Sequence, residues 1–548
     1  MTDHGTAPIL VRQNDGRLEP LEPDRVSRAL FAATDLLGTP DAFLARELAD
    51  AIIPALAAEM QSPITIQELT DSVAKYVREL GHPAIARGYR EQIRLPNKHD
   101  GSSIRPPHLW QIIDPNSGTR EVHRRLAEPA LRELATSDVF PLDIVSMVRD
   151  GLMQLQGLEH PFELAGSVLG DGLRTNTAGL GIASAFENTE RHTGGFVVID
   201  SPEHALAALA GEPRQLVAEF LDEWRRGLAT TGLVGTIHLN HGVAPAWASD
   251  PQTGPLFGGL AKPTDAGRIG EMAITIATVA SETTPISWHL SRADLAGEPS
   301  PSLVRIIESI RGGRAIELVF DRARQPVSLG PGLTRSDPAV LLFVGIHLAR
   351  FAEQISSRTP ERFLQKLGSL ARLARSAGHA KFDFLRRHGK PEVKRGFRLE
   401  RARLVVTPVG LEETVRIVAD LPACDLGPGT EFARMIVVQL MNALTREQPR
   451  NLEAVLDSFA AISGFGSAKV SPARRDVAGL TAWDESAPQR QQMQASGETH
   501  AAANAGTAAI LVPAAMPSVD EYVQLLRLAA QSDVRRVRFV SQGGVAPD

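Results

Sequence analysis

Two glutamines in the stretch Met153-Gln154-Leu155-Gln156 alternate with apolar residues. That period of two predicts a strand with both amides on one face. An amide neither exchanges protons near neutral pH nor binds a transition metal well, so Gln154 and Gln156 could orient a ligand without reacting with it. His238, His289 and His347 each fall in a run that reads as extended. Three histidines converging inside a barrel could bind a metal, but their spacing matches no metal signature, so core or ligand-orienting roles are expected and no metal. Alternation in Thr236-Ile237-His238-Leu239-Asn240 puts His238 and Asn240 on one face, as a polar pocket lining would require. Glu412 and Glu413 are adjacent, point opposite ways if extended, and form no paired-carboxylate site alone. One of them could face a barrel interior. Cys424 is the single cysteine, which excludes an internal disulfide, a Cys-rich zinc site and a CxxC redox pair.

Such residues need elements to hold them. At 548 residues the chain is too long for one ordinary core, so two or more domains are expected, one of them a large barrel. A formal charge of -6, with acidic and basic residues interspersed, gives no electrostatic case for nucleic acid or an anionic membrane. The N-terminus has no basic start and no apolar run, and the longest apolar stretches fall short of a bilayer span, so a cytoplasmic location is expected.

Residues 1–95 read as one small domain. Two extended runs flank Asn14-Asp15-Gly16, where Asp-Gly supplies the positive φ angles of a tight hairpin. Pro23 and Asp24 open a helix that Gly38 ends, a second spans about 41–60, and Thr65 with Glu68 forms a capping box for a third that Gly81 closes. "PAIARGYREQIR" makes a fourth. Residues 96–120, dense in Pro, Gly, Ser and Asn, are expected to be a linker. Over 121–548, apolar runs such as "GTIHLN", "PISWHLS", "AIELVF", "LLFVGIHL", "RLVVTPVG", "AAILVP" and "RVRFV" alternate with helical stretches at 203–230, 266–282, 350–388 and 517–532, an α/β pattern with enough strands for a barrel. "ESAPQRQQMQASGETHAAANAGT" reads as a polar, mobile loop. "GFGSAK", at 464–469, lacks the Gly-Lys-Ser/Thr ending of a P-loop and reads as a plain loop.

The order hairpin, "NDG", two helices, capped helix, "ARGYREQIR" resembles the ATP-cone, the nucleotide-sensing domain of many ribonucleotide reductases, over about residues 9–94. The resemblance implies ATP or dATP as an effector and a nucleotide site at Arg12, Asp15, Gly16, Arg17, Glu19, Arg25, Thr65, Arg90 and Arg94. The family's hairpin usually carries a Lys-Arg pair; here those positions are Gln13 and Asn14, which removes two positive charges near the phosphates. Arg12, Arg17, Arg90 and Arg94 could compensate, as could backbone amides at helix N-termini.

The larger part resembles the anaerobic, glycyl-radical class of ribonucleotide reductase. "DVFPLDIVSMVRDGLMQLQGLEHPFELAG" is similar to a family segment in which two strand histidines stand where this chain has Gln154 and Gln156. "LLFVGIHLARFAE", with His347 and Arg350, resembles the family's Asn-Leu-Pro-Arg strand, and "VVTPVGLEETV", with Glu412, its Gly-Leu-Asn-Glu segment. The resemblance implies a small α+β cone followed by a ten-stranded α/β barrel, with Gln154, Gln156, His238, Asn240, His347, Arg350 and Glu412 around a pocket. That family's chemistry needs a cysteine at the tip of a loop inside the barrel, here expected in or near "DRARQPVSLGPGLTR", which has none. It also needs a C-terminal zinc element and glycyl-radical loop, which the expected barrel lacks; Gly543 and Gly544 have no arginine and tyrosine context. Without a hydrogen-abstracting thiol, no side chain here offers an equivalent S–H. The expectation is therefore a nucleotide-binding, non-catalytic relative of regulatory or accessory role, as a homodimer or beside an active reductase. The alternatives are a reductase-type enzyme using a radical-bearing partner polypeptide and a purely structural partner.

Overall fold

The computed structural model describes residues 10–12, 17–59, 63–94, 119–169, 181–241, 266–280, 284–322, 325–355, 359–395, 398–445, 452–457, 487–503, 508–512 and 518–541. Asp15 and Gly16, the stretch 464–469 and the expected linker 96–120 lie outside them, save Thr119 and Arg120, which open the helix Thr119–Leu134. The chain divides into two compact units, one of residues 1–153 with 365–380, the other of 154–364 with 381–548.

In the first unit, strands β1 (Leu10–Arg12) and β2 (Leu18–Pro20) pair antiparallel, and β3 (Ile64–Thr65) pairs parallel with β1. Helices Pro23–Leu36, Ala42–Glu59, Ile66–Glu79 and Pro83–Arg94 follow the expected order, and Gly38 and Gly81 both take positive φ past the helix ends. Thr65 caps its helix reciprocally: its hydroxyl accepts from Glu68 N, while a Glu68 carboxylate oxygen accepts from Thr65 N at 2.8 Å. Arg46 is buried between two acids, 2.6 Å from Asp24 and 3.1 Å from Asp50. Ser376 donates to Asp24 at 2.8 Å, and Ser369 and Arg372 donate to Asp50 at 2.8 and 3.0 Å. These bonds attach residues 365–380, the middle of the helix Pro360–His388, to this unit.

The second unit is built on an eleven-stranded mixed sheet. Its strands are β4 (Met153–Leu155), β5 (Leu164–Val168), β6 (Thr193–Asp200), β7 (Val234–Asn240), β8 (Ile286–Ser291), β9 (Ile316–Asp321), β10 (Ala339–His347), β11 (Ala402–Val409), β12 (Ala454–Leu456), β13 (Ala508–Val512) and β14 (Arg536–Ser541). Ten lie on one path, β12-β11-β10-β5-β6-β7-β8-β9-β14-β13, with β4 beside β10. Strands β5 to β9 run parallel, as do β10 to β12 and β13 with β14; the two sets meet antiparallel at β5/β10 and β9/β14. The architecture is thus a cone of α+β type followed by a ten-stranded α/β barrel made of two five-stranded halves of opposite direction.

Alternation along the strands sorts residues between two cores. Val197, Ile199, Ile237, Leu239, Trp288, Leu290, Leu318 and Val537 pack against helices. A smaller cluster holds Phe196, Val198, Phe343, Val405 and Val455 together with Leu329 and Leu333, which belong to the loop between β9 and β10. That loop is a hairpin: Ser328 bridges Thr334, and Leu329 N donates to Leu333 O at 2.9 Å. Its Gly330, at φ 108°, sits where an L side chain would be strained.

Three expectations need correction. The stretch containing "QRQQMQASGETHAA" is not a mobile loop but the helix Gln489–Ala502, with Met493, Ala495, Thr499 and His500 buried. Its Gln, Ala, Met and Glu are strong helix formers, and Pro488 stands at its N-cap. The single helices expected at 203–230 and 350–388 are each two, because Pro213 and Pro360 open new helices at their first positions. Glu412 and Glu413 stand in the first turn of the helix Leu411–Ala419 and not on a strand. Among the described residues, no helix is long and apolar enough to cross a membrane.

Candidate functional site

Where Ile237, Leu239, Trp288, Leu318 and Val537 point toward the helices, their neighbours in sequence must point the other way. That other face carries Asp200 on β6, His238 and Asn240 on β7, Ser287 and His289 on β8, Asp321 on β9 and Arg536 on β14. All but Asp321 are almost fully buried. The barrel interior is therefore divided, apolar around the Leu329–Leu333 hairpin and polar along β6 to β9 and β14.

The polar half is ordered by a chain of three groups. His289 Nδ1 lies 3.0 Å from Asp321 Oδ1, and His238 Nδ1 lies 2.8 Å from His289 Nε2. A carboxylate only accepts, so the proton sits on His289 Nδ1; His289 Nε2 then accepts from the His238 Nδ1–H, and His238 Nε2 is left with a lone pair. That nitrogen is buried with no hydrogen-bond partner among the described residues. It lies about 4.0 Å from where a Cβ on Gly330 would be. Burial, and then His289, Arg536 and Arg335, hold the His238 pKa well below the ordinary histidine range.

Glu203, in the first turn of the helix Pro202–Ala207, is fully buried. Its Oε1 accepts from Asn240 Nδ2 at 2.9 Å and Asn240 N at 3.2 Å, while Oε2 has no hydrogen-bond partner among the described residues. Burial pushes its pKa up to about 7, with Asn240 acting in the opposite direction. Asn240 Nδ2 also donates to Ser201 Oγ at 2.7 Å. Arg335, just before β10, clasps Asp200 with bonds of 2.8 and 3.1 Å, a buried bidentate pair. A second buried pair joins Arg536 to Asp457, and Asp457 Oδ2 accepts from Gly332 N at 2.9 Å, fastening the hairpin tip to the end of β12.

The structure brings His238 and Asn240 together, as their spacing predicts, and adds four acids and two arginines that were not singled out: Asp200, Glu203, Asp321, Asp457, Arg335 and Arg536. Alternation could have found Asp200, two residues after the inward Val198, and Asp321, two after Val319. His347, Arg350 and Glu412 lie elsewhere. His347 ends β10, and Arg350 and Glu412 follow the C-terminal ends of β10 and β11; since β10 runs antiparallel to β5, these are at the opposite end of the strands from Asn240 and Asp321. Arg350 is exposed and Glu412 pairs with Arg416. Gln154 and Gln156 are both half-buried, and Gln156 N donates to Phe343 O on β10 at 3.1 Å, three strands along the path from β7. His238 and His289 face each other nitrogen to nitrogen, closer than two imidazoles can stand on one metal with metal–nitrogen bonds of about 2.0–2.1 Å at tetrahedral angles. Among the described residues, no group of three or more His, Cys, Asp or Glu could hold a metal ion.

In the cone, Arg12 stands opposite Thr65 in the sheet, which sets Arg12 beside the N-terminus of the helix Ile66–Glu79; Arg17 precedes β2, on the other side of β1 from that helix end. Arg25 pairs with Glu19 at 3.1 Å, both exposed, and the half-buried Arg90 pairs with the exposed Asp71 at 3.2 Å. Arg94 ends the fourth helix.

Cone and barrel define the class, and comparison with known proteins agrees. Residues 9–94 match the family model of the ATP cone domain. Among solved structures, the chain is similar to the anaerobic ribonucleotide reductase from Thermotoga maritima in complex with dATP and CTP, at 10% identity and a TM-score of 0.58, covering 78% of this chain and 85% of that one. The same protein with dATP bound in the specificity site gives 11% identity and 0.59, with coverages of 77% and 85%. A further anaerobic ribonucleotide reductase gives 11% and 0.53, with coverages of 76% and 80%. No curated protein matches the chain. The chain thus carries an ATP-cone domain and has the fold of the anaerobic ribonucleotide reductases.

Proposed function

We propose that this protein binds ATP or dATP as an effector through its cone and that its barrel serves a regulatory or accessory role without radical chemistry. The match of residues 9–94 to the ATP cone carries the first part. Arg12 beside a helix N-terminus suits a phosphate chain, since the helix end offers backbone N–H groups and a favourable dipole. Supporting the second part, the hairpin that enters the barrel reads Leu329-Gly330-Pro331-Gly332-Leu333, and the single cysteine, Cys424, is buried after the helix Leu411–Ala419. A thiol-borne radical has no carrier at that hairpin tip.

The test is thermal melting of the full chain with ATP, dATP and the other ribonucleotides, beside the variant Arg12→Glu. A ligand specific for the folded state raises stability by about 2.7 kcal/mol at a hundredfold excess over its dissociation constant. A shift with ATP or dATP that Arg12→Glu abolishes is the expected result. A flat response to every nucleotide at millimolar concentration ends the proposal. For the accessory role, co-elution with an active reductase in the presence of the effector is expected, and turnover of a ribonucleotide by the chain alone contradicts it.

A further inference from the structure

Two carboxylates of the first unit each bridge two neighbours. Asp24 Oδ1 accepts from Arg46 at 2.6 Å and its Oδ2 from Ser376 at 2.8 Å. Asp50 Oδ1 accepts from Arg46 Nε at 3.1 Å, while its Oδ2 accepts from Ser369 at 2.8 Å and from Arg372 Nε at 3.0 Å. Lys366 adds a bond of 2.9 Å to Glu47. Lys366, Ser369, Arg372 and Ser376 follow one another at steps of three or four residues, so they form one stripe along the helix Pro360–His388. Arg46, Ser369 and Ser376 are almost fully buried. Asp24 stands in the first turn of the helix Pro23–Leu36, with only Leu21 and Glu22 between that helix and β2, and its neighbour Arg25 pairs with Glu19 on β2.

We propose that this stripe reads the effector state of the cone: a nucleotide held beside Glu19 and Arg25 sets the position of Asp24, and Ser376, Ser369 and Arg372 carry that position into residues 365–380. The inference rests on effector binding by the cone and names how that binding is passed on. Residues 365–380 belong to the same compact unit as the cone, although they come from far along the chain. A buried guanidinium that loses one carboxylate is left uncompensated, so Arg46 holds Asp24 and Asp50 to one arrangement, and a displacement of Asp24 has to be followed by Asp50. Hydrogen bonds weaken steeply with poor geometry, so the stripe is made or broken rather than stretched. Coupling is also reciprocal: the factor by which the effector favours the made stripe is the factor by which the stripe favours the effector. Ser369, Arg372 and Ser376 are positioning residues, since they act through Asp24 and Asp50.

The experiment is amide hydrogen exchange of the full chain with and without ATP or dATP, whichever shifts the melt, beside the double variant Ser369→Ala/Ser376→Ala. In the parent, the nucleotide should slow exchange both in the helix Ile66–Glu79 and in residues 366–377, by about fivefold or more. In the double variant the slowing at Ile66–Glu79 should remain and that at 366–377 should vanish, with nucleotide affinity from melts roughly fivefold weaker. A merely structural role for the two serines would raise exchange equally with and without nucleotide and leave affinity unchanged, which contradicts the proposal. If the double variant does not fold, Ser376→Ala alone, which cuts the bond to Asp24, takes its place. Slowing at Ile66–Glu79 with none at 366–377 in the parent, or slowing at 366–377 that survives in the variant, overturns the inference and leaves effector binding intact. A flat melt with no slowing anywhere ends effector binding, and this inference with it.

Discussion

His238 and His289, fifty-one residues apart, meet ring nitrogen to ring nitrogen at 2.8 Å, with Asp321 on the far side of His289. One carboxylate thereby fixes the tautomers of two imidazoles. Replacing His289 by Leu keeps the volume but leaves the His238 Nδ1–H buried without an acceptor, which should cost about 1–3 kcal/mol in urea unfolding. Asp321→Asn, which keeps a carbonyl acceptor, should cost less than His289→Leu. Equal losses in the two variants would mean that the chain of bonds does not order His238.

Glu203 gives a pH dependence of known sign. Its folded pKa is raised to about 7 from 4.5, so between those values the folded state holds a proton that the unfolded chain has released. The group's contribution is present below pH 4.5 and lost as pH rises toward 7. Glu203→Gln removes that titration and can still accept from Asn240. The stability difference between variant and parent should therefore shift in the variant's favour from pH 4.5 to 7 and level off above. A difference constant over that window would place the Glu203 pKa in the ordinary carboxylate range.

Most strands were legible in the sequence because their apolar runs are bounded by turn residues, and His238 with Asn240 was legible from alternation along one of them; β5, β6 and β12 were not singled out. Nor were the acids. Asp200-Ser201-Pro202-Glu203 reads as the opening of a helix, where acids are ordinary, and only pairing with β7 turns Glu203 toward Asn240. His347, Arg350 and Glu412 were expected at the pocket through the resemblance alone, and they stand at the other end of the strands from Asn240. The antiparallel junction at β5/β10 reverses one half of the barrel, and no local pattern encodes it.

The helix Gln489–Ala502 makes the same point in energetic terms. Its amphipathic signal is faint because its buried face is partly polar, including Gln492, Ser496, Thr499 and His500. Gly497 is what lets it pack: a Cβ there would fall 1.3 Å from the Ser532 carbonyl oxygen, a backbone atom that cannot rotate away. Although Ala is the better helix former, Gly497→Ala should destabilise by about 3 kcal/mol, the upper range for overpacking. A neutral or stabilising result in a thermal melt would show that the helix is not seated there.

Lys381 is the clearest case in which burial decides a charge state. Its Nζ donates to two backbone carbonyls, His160 O at 2.7 Å and Pro161 O at 2.8 Å. A neutral amine has two N–H groups, which these acceptors satisfy. Burial lowers its pKa to about 7 from 10.5, partly opposed by Glu163 and Glu159. Above pH 10.5 neither state binds the proton; as pH falls toward 7 the unfolded chain gains it and the folded chain does not, so this group's stabilisation is lost over that interval. Lys381→Met deletes the titration along with the two hydrogen bonds. Its penalty should consequently be larger at pH 10 than at pH 7, read from urea midpoints at both values. A penalty that is instead larger at pH 7 would mean that Lys381 is folded in as an ammonium, with its charge balanced by Glu163 and Glu159.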